Sequence, residues 1–107
     1  VSSGNSFVHE TESQVILNGS YNINFTMDLV LKDTGLFDEL AKKLNAPLEI
    51  SPKIVEIFKD GQKKYGSRAW SSMIVKRMED LNKIDFRAEG FPEELTDNEP
   101  EEKGYEI

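Results

Sequence analysis

The sequence predicts an all-α domain, a compact bundle of about four to five helices with an extended C-terminal arm, on the evidence of helical spacing. Three observations predict it. Apolar residues recur at three- and four-residue intervals in several stretches; those stretches are bounded by Gly, Pro, Asn or Ser; and no segment shows the convincing alternation of a half-buried strand. A chain of 107 residues fits one domain, and its 37% apolar residues can build a modest core. No apolar run approaches the roughly 18–20 residues that span a bilayer.

The opening Val1–Ser6 is rich in Ser, Gly and Asn, so it reads as the end of one element and the cap of the next. A first helix is expected from Phe7 to Leu17 with Phe7, Val8, Thr11 and Val15 inward, ended by Asn18-Gly19. A loop follows to Asn24. Its two N-glycosylation tripeptides, at Asn18 and Asn24, are of a kind that arises by chance, and Thr26 or Asn24 reads better as a helix cap.

The stretch Asn22–Leu44 organises the chain. Leu29, Leu36, Leu40 and Leu44 form one stripe, widened by Val30, Phe37 and Ala41, and Lys32 and Asp33 fall on the same arc. Charges on a core-facing arc cost several kcal/mol each unless paired or used. The pair therefore reads either as a salt bridge at the rim of the core, the lysine head reaching water, or as a functional pair. Gly35 in mid-helix is expected to admit a close neighbour. Asn45 suits a left-handed cap, and Pro47 forbids continuation.

Ser51-Pro52 restarts the chain as cap and first helical residue. Ile54, Val55, Phe58, Gln62 and Tyr65 are the expected inner face; Lys53, Glu56, Lys59, Asp60, Lys63 and Lys64 the wet one; Gly66 the stop. A last helix is expected over Ala69–Leu81, with Trp70, Met73, Ile74, Met78 and Leu81 inward and Lys76, Arg77, Glu79 and Asp80 mostly outward. Beyond Lys83 the period is lost, so Ile84, Phe86 and Phe91 read as anchors of an arm laid over the helices. Residues 1–92 are thus expected to form the domain. Residues 93–107, with seven acids against the single Lys103, read as a poorly ordered acidic tail.

That tail carries most of the net charge of −7, and the rest is near neutral, which argues against nucleic acid or an anionic membrane as partner. There is no cysteine, and the single histidine, His9, sits beside Glu10 and Glu12 as a surface residue; no metal site is expected. GxGxxG, GxxxxGK[ST] and GxSxG motifs are all missing. No signal peptide is recognisable, and a cytoplasmic location is expected.

The order of residues carries a resemblance. Ser2–Phe7 (SSGNSF), Phe25–Leu36 (FTMDLVLKDTGL) with the following ELAKKLNAPLEIS, Ile57–Glu79 and Phe86–Pro92 together resemble the C-terminal helical domain of the β-hydroxyacid dehydrogenases, the family of 3-hydroxyisobutyrate dehydrogenase and tartronate semialdehyde reductase. Leu29, Lys32, Asp33, Gly35 and Leu36 form its most specific piece. The resemblance implies that Lys32 contacts the nicotinamide end of NAD or NADP, that Asp33 helps hold it, and that Phe7 lines the cleft. It implies residues 1–6 as the end and break of an interdomain helix, and as partners the protein's own N-terminal Rossmann domain, a small hydroxy-acid substrate and a second subunit. Ala69 departs from the aspartate frequent before the aromatic position, and the family's GxxxKxxN element with the catalytic lysine is not in this sequence. No catalytic residue is therefore expected here, and the chain alone is expected to be inactive. From another class, a free-standing helical interaction module competes with this reading.

Overall fold

The computed structural model describes residues 3–96, 100, 103 and 104. These residues form four α-helices and a 3-10 turn with no named strand: α1 (Phe7–Asn18), α2 (Met27–Lys43), α3 (Ser51–Tyr65), the turn Ser71–Val75 and α4 (Lys76–Asn82). The all-α expectation holds. Of the expected interdomain remnant, residues 1 and 2 lie outside the described residues; of the expected tail, 97–99, 101–102 and 105–107 do.

Each boundary has a local cause. Ser6 caps α1 by accepting the His9 N–H at 3.0 Å. Gly19 closes it with a left-handed φ of 92° while its N–H donates to Val15 and Ile16. Asn45 takes the left-handed position after α2, and Gly66 ends α3. Ser51 is the first helical residue of α3 rather than its cap, and its hydroxyl donates to Asp38 Oδ1 at 2.7 Å, which ties the start of α3 to α2.

The start of α2 is held differently from the expected side-chain cap. Thr26 is the N-cap residue but makes no capping bond; its hydroxyl donates to the Asp28 carboxylate, which also accepts the Leu29 N–H at 3.0 Å. The first helical N–H groups donate to a distant segment instead, Met27 to Ala69 O at 2.9 Å and Asp28 to Ser67 O at 3.1 Å. Ser71 N–H returns a bond to Phe25 O at 2.7 Å, and Thr26 and Trp70 form an isolated antiparallel bridge. The donors that a helix start cannot satisfy itself are thus met by carbonyls some 40 residues away.

The core lies between α1, the first turn of α2, α3 and the 3-10 turn. Val15, Tyr21, Met27 and Ala41 are its buried apolar residues, and Thr26, Ser71, Ser72 and Glu79 are buried with them. Gly61 lets this core close: a Cβ there would sit 2.8 Å from Ile74 Cδ1 and 3.3 Å from Met27 Cε. The close approach expected at Gly35 is absent, because a Cβ there meets nothing within 4 Å.

Several expected inner faces turn outward. Leu36, Phe37, Leu40 and Leu44 are exposed, Leu44 to 68%, so the leucine stripe is an open face in this chain. Of the expected stripe only Ala41 is buried, where α2 packs with α3. Phe7 and Val8 are exposed on α1, and only Val15 of the expected set is buried. The last helix is broken: Ser71–Val75 winds as a 3-10 turn before α4. At about 120° per residue against 100°, five 3-10 residues shift the helical phase by roughly 100°. That shift turns Met78 and Leu81 outward and Glu79 inward, the reverse of the expectation.

The two helical glycines give opposite outcomes. Gly35→Ala raises the stability of this chain by about 0.5–1 kcal/mol, since it adds helix propensity in open space. Gly61→Ala lowers it, since overpacking of a filled core costs about 1–3 kcal/mol. Urea unfolding of both variants checks the sign, and equal effects would contradict the packing described.

Candidate cofactor-facing site

Lys32 and Asp33 stand in the second turn of α2, whose start is fastened by the Ser67–Ser71 segment. Arg68 Nη1 adds an ion pair to Asp28 Oδ2 at 3.1 Å across the same junction. The Thr26 hydroxyl, and after it Arg68 and the Leu29 N–H, hold the Asp28 carboxyl below its usual range. The helix that carries the pair is therefore fixed at its near end by both backbone and charge.

The pair itself faces solvent. Lys32 Nζ lies 3.1 Å from Asp33 Oδ1, with side chains 59% and 56% exposed. This corrects the core-facing arc expected from periodicity: the stripe on which Lys32 lies is the open side of α2. An exposed pair contributes about 0–1 kcal/mol to stability, so folding alone gives weak reason to place a lysine and aspartate there. Lys32 is a cation that its neighbour orients and whose remaining donors face outward.

Phe7 begins α1 and is 77% exposed. The described hydrogen bonds and ion pairs join Lys32 with Asp33 and do not join Phe7 to them; the Phe7 carbonyl accepts the Thr11 hydroxyl at 2.9 Å. Beside the open leucines of α2 lies a groove of about 530 Å³, lined by Thr34, Phe37, Pro47, Leu48, Ile50 and Ile54 among others. Among the described residues no group of three or more His, Cys, Asp or Glu could hold a metal ion, and no helix is long and apolar enough to cross a membrane.

Three polar clusters were not legible as such in the sequence. Asp60, expected on the wet face of α3, accepts from Arg77 Nε at 2.6 Å and from Lys64 at 3.0 Å; Arg77 first and Lys64 second hold its carboxyl low. Asp80 accepts from Lys76 and from the Tyr65 hydroxyl at 2.7 Å, and burial together with Asp80 pushes the Tyr65 phenol up to about 12. The third cluster is Glu79, 1% exposed, which meets the Tyr21 hydroxyl at 2.5 Å and Arg87 Nη1 at 3.0 Å. Only the 3-10 phase shift turns Glu79 inward, and nothing in the composition announces that shift.

The family described as the NAD-binding domain of NADP-dependent 3-hydroxyisobutyrate dehydrogenase matches residues 1–78. The chain is 32% identical over 84 residues to 2-(hydroxymethyl)glutarate dehydrogenase of Eubacterium barkeri, a match that covers 78% of this chain and 28% of that relative. No solved structure gives a significant match. An all-helical domain with a fixed, solvent-facing lysine–aspartate pair is what the fold defines. The chain belongs to the 3-hydroxyisobutyrate dehydrogenase family of NAD-binding domains. It spans a little over a quarter of the length of the relative it matches.

Buried Glu79 sets an acid-side dependence. Burial opposes its ionisation, but bonds from Tyr21, Arg87 and the Phe86 N–H outweigh that and hold its carboxyl below the ordinary 4.5. A depressed carboxyl contributes stability that is full above the unfolded value and is lost as pH falls through the folded one. The melting temperature of Glu79→Gln therefore lies below wild type at pH 7, and the gap narrows as pH falls below 4.5. A gap unchanged from pH 7 to pH 3 would contradict an ionised, bonded Glu79.

Proposed function

We propose that this chain is the helical, cleft-closing part of an NAD(P)-dependent β-hydroxyacid dehydrogenase, with Lys32 as its contact to the nicotinamide cofactor and Asp33 and Phe7 lining the cleft. The observation that carries the reading is the Lys32–Asp33 pair, exposed on a helix fastened at its start, within the stretch that defines the family. The cofactor, when bound, supplies the hydride acceptor or donor for a small 3-hydroxy acid and its oxidised product. The donor set suits one contact to such a group rather than the whole of its binding: the chain has an outward-facing ammonium and no glycine-rich phosphate loop.

Within that division, Lys32 presents a fixed positive charge and hydrogen-bond donors toward cofactor or substrate carboxylate. Asp33 limits where the ammonium swings, at the 3.1 Å separation that the two side chains hold. The proton transfer of the reaction falls to the lysine of a GxxxKxxN helix in the part of the enzyme N-terminal to this chain. The protein's own N-terminal Rossmann domain and a second subunit are the partners for the open apolar face of Leu36, Phe37, Leu40 and Leu44. By itself the chain binds no cofactor tightly and turns nothing over.

In the full-length enzyme Lys32→Ala lowers turnover by more than tenfold while the far-ultraviolet circular dichroism stays that of wild type. Wild-type kinetics in this variant would contradict the cofactor contact and leave the open face as the mark of an interaction module.

A further inference from the structure

The C-terminal arm is fastened across the loop that leads into α2. After α4 closes at Lys83, which has a left-handed φ of 55°, Ile84 N–H donates to Glu79 O at 3.1 Å and Phe86 N–H to Glu79 Oε1 at 3.3 Å. Arg87 then joins three elements. Its Nη1 donates to Glu79 Oε1 at 3.0 Å and to Ile16 O at 3.3 Å, and its Nη2 donates to the Tyr21 hydroxyl at 2.8 Å. The guanidinium carbon sits 5.2 Å from the Tyr21 ring centroid. Farther along, Ala88 N–H reaches Leu17 O at 3.1 Å, Asn18 Nδ2 reaches Phe91 O at 3.0 Å, and the Ser20 hydroxyl reaches Glu93 O at 2.6 Å. A Cβ on Gly19 would come within 2.5 Å of Arg87 Nε, so glycine opens the path of that side chain as well as supplying the left-handed turn.

Tyr21 is where the fastening passes from the arm to α2. It is buried, and its own φ of 54° is one that a bulky residue rarely keeps unless its surroundings impose it. Its carbonyl accepts the Ser72 hydroxyl at 2.6 Å and the Ile23 N–H at 3.0 Å. Ser72 directly follows the residue whose N–H holds Phe25 O, in the segment whose carbonyls hold Met27 and Asp28. One residue thus meets the arm through its side chain and the segment beside the start of α2 through its backbone carbonyl.

We propose that Tyr21, Glu79 and Arg87 are positioning residues, a clasp through which the arm holds the start of α2 and with it the direction of Lys32 and Asp33. The proposal rests on the reading of Lys32 given above. Tyr21 lies within the stretch that the family match covers, and Glu79 and Arg87 lie just beyond residue 78, where it ends. A buried ion pair contributes little net stability against an apolar replacement but selects one arrangement among several, and positioning needs such a selection.

Two measurements test it. In the 107-residue chain, Arg87→Met speeds amide exchange of Met27, Asp28 and Ser71 by at least tenfold and leaves Phe58–Lys64 of α3 unchanged. Arg87→Lys, which keeps the charge without the fork, falls between the two. Acceleration confined to Phe86 and Ala88, or spread equally through α3, would overturn the clasp. If Arg87→Met does not fold, Tyr21→Phe, which removes only the bridging hydroxyl, is read the same way. In the full-length enzyme Arg87→Met lowers kcat about tenfold, and adding it to Lys32→Ala lowers kcat no further, because both act through one group. A multiplicative loss in the double variant would overturn the clasp and leave the Lys32 contact standing. An undiminished kcat in Lys32→Ala alone would overturn the clasp together with the reading on which it rests.

Discussion

The first turn of α2 has backbone donors that no helix can satisfy from within, and the way this chain satisfies them organises the rest. Carbonyls of Ser67 and Ala69 take the N–H groups of Asp28 and Met27, and Phe25 O takes that of Ser71. The crossing brings Thr26 against Trp70 and buries Thr26, Met27, Ser71 and Ser72 together. Met27 can then reach Gly61 on α3, where the missing side chain leaves room for its thioether and for Ile74. α1 joins through Val15, whose carbonyl holds both Gly19 and Tyr21. A long-range backbone junction therefore does here what a capping side chain does in most helices, and it unites residues near 25 with residues near 70.

The polar content of the interior suits that construction. Glu79 is among the largest fully buried side chains, and its two oxygens are engaged by Tyr21, Arg87 and the Phe86 N–H. Much of the apolar surface of α2 meanwhile lies open, from Leu36 to Leu44, and continues into the groove beside Ile50 and Ile54. Buried volume thus goes to an oriented carboxylate while Leu36, Phe37 and Leu40 stay exposed on α2.

How much of this was legible in the sequence differs by kind of signal. Helix ends were readable because Ser6, Gly19, Asn45 and Gly66 act through local backbone chemistry that a few neighbouring residues determine. Helix faces were less so. Periodicity locates a stripe, but which stripe is covered depends on what lies opposite, and Leu36, Phe37, Leu40 and Leu44 stay exposed among the described residues. The inward turn of Glu79 was hidden for a different reason: five residues of 3-10 winding alter the phase of all that follow, and Ser71–Val75 carries no residue that demands such winding. Lys32 and Asp33 were found because two adjacent charges on an apolar arc violate the pattern. The structure keeps the pair and reverses its setting, from core rim to open surface.

Lys32 and Asp33, in the proposed role of this chain, form one side of a split cofactor site. The most direct test is a fluorescence titration of the 107-residue chain with NADH and with NADPH, beside the same titration of a polypeptide extended at its N-terminus to full length. The account predicts saturable binding by the extended protein and none by the chain alone. Tight binding by the isolated chain, or no binding by the extended protein, would contradict it.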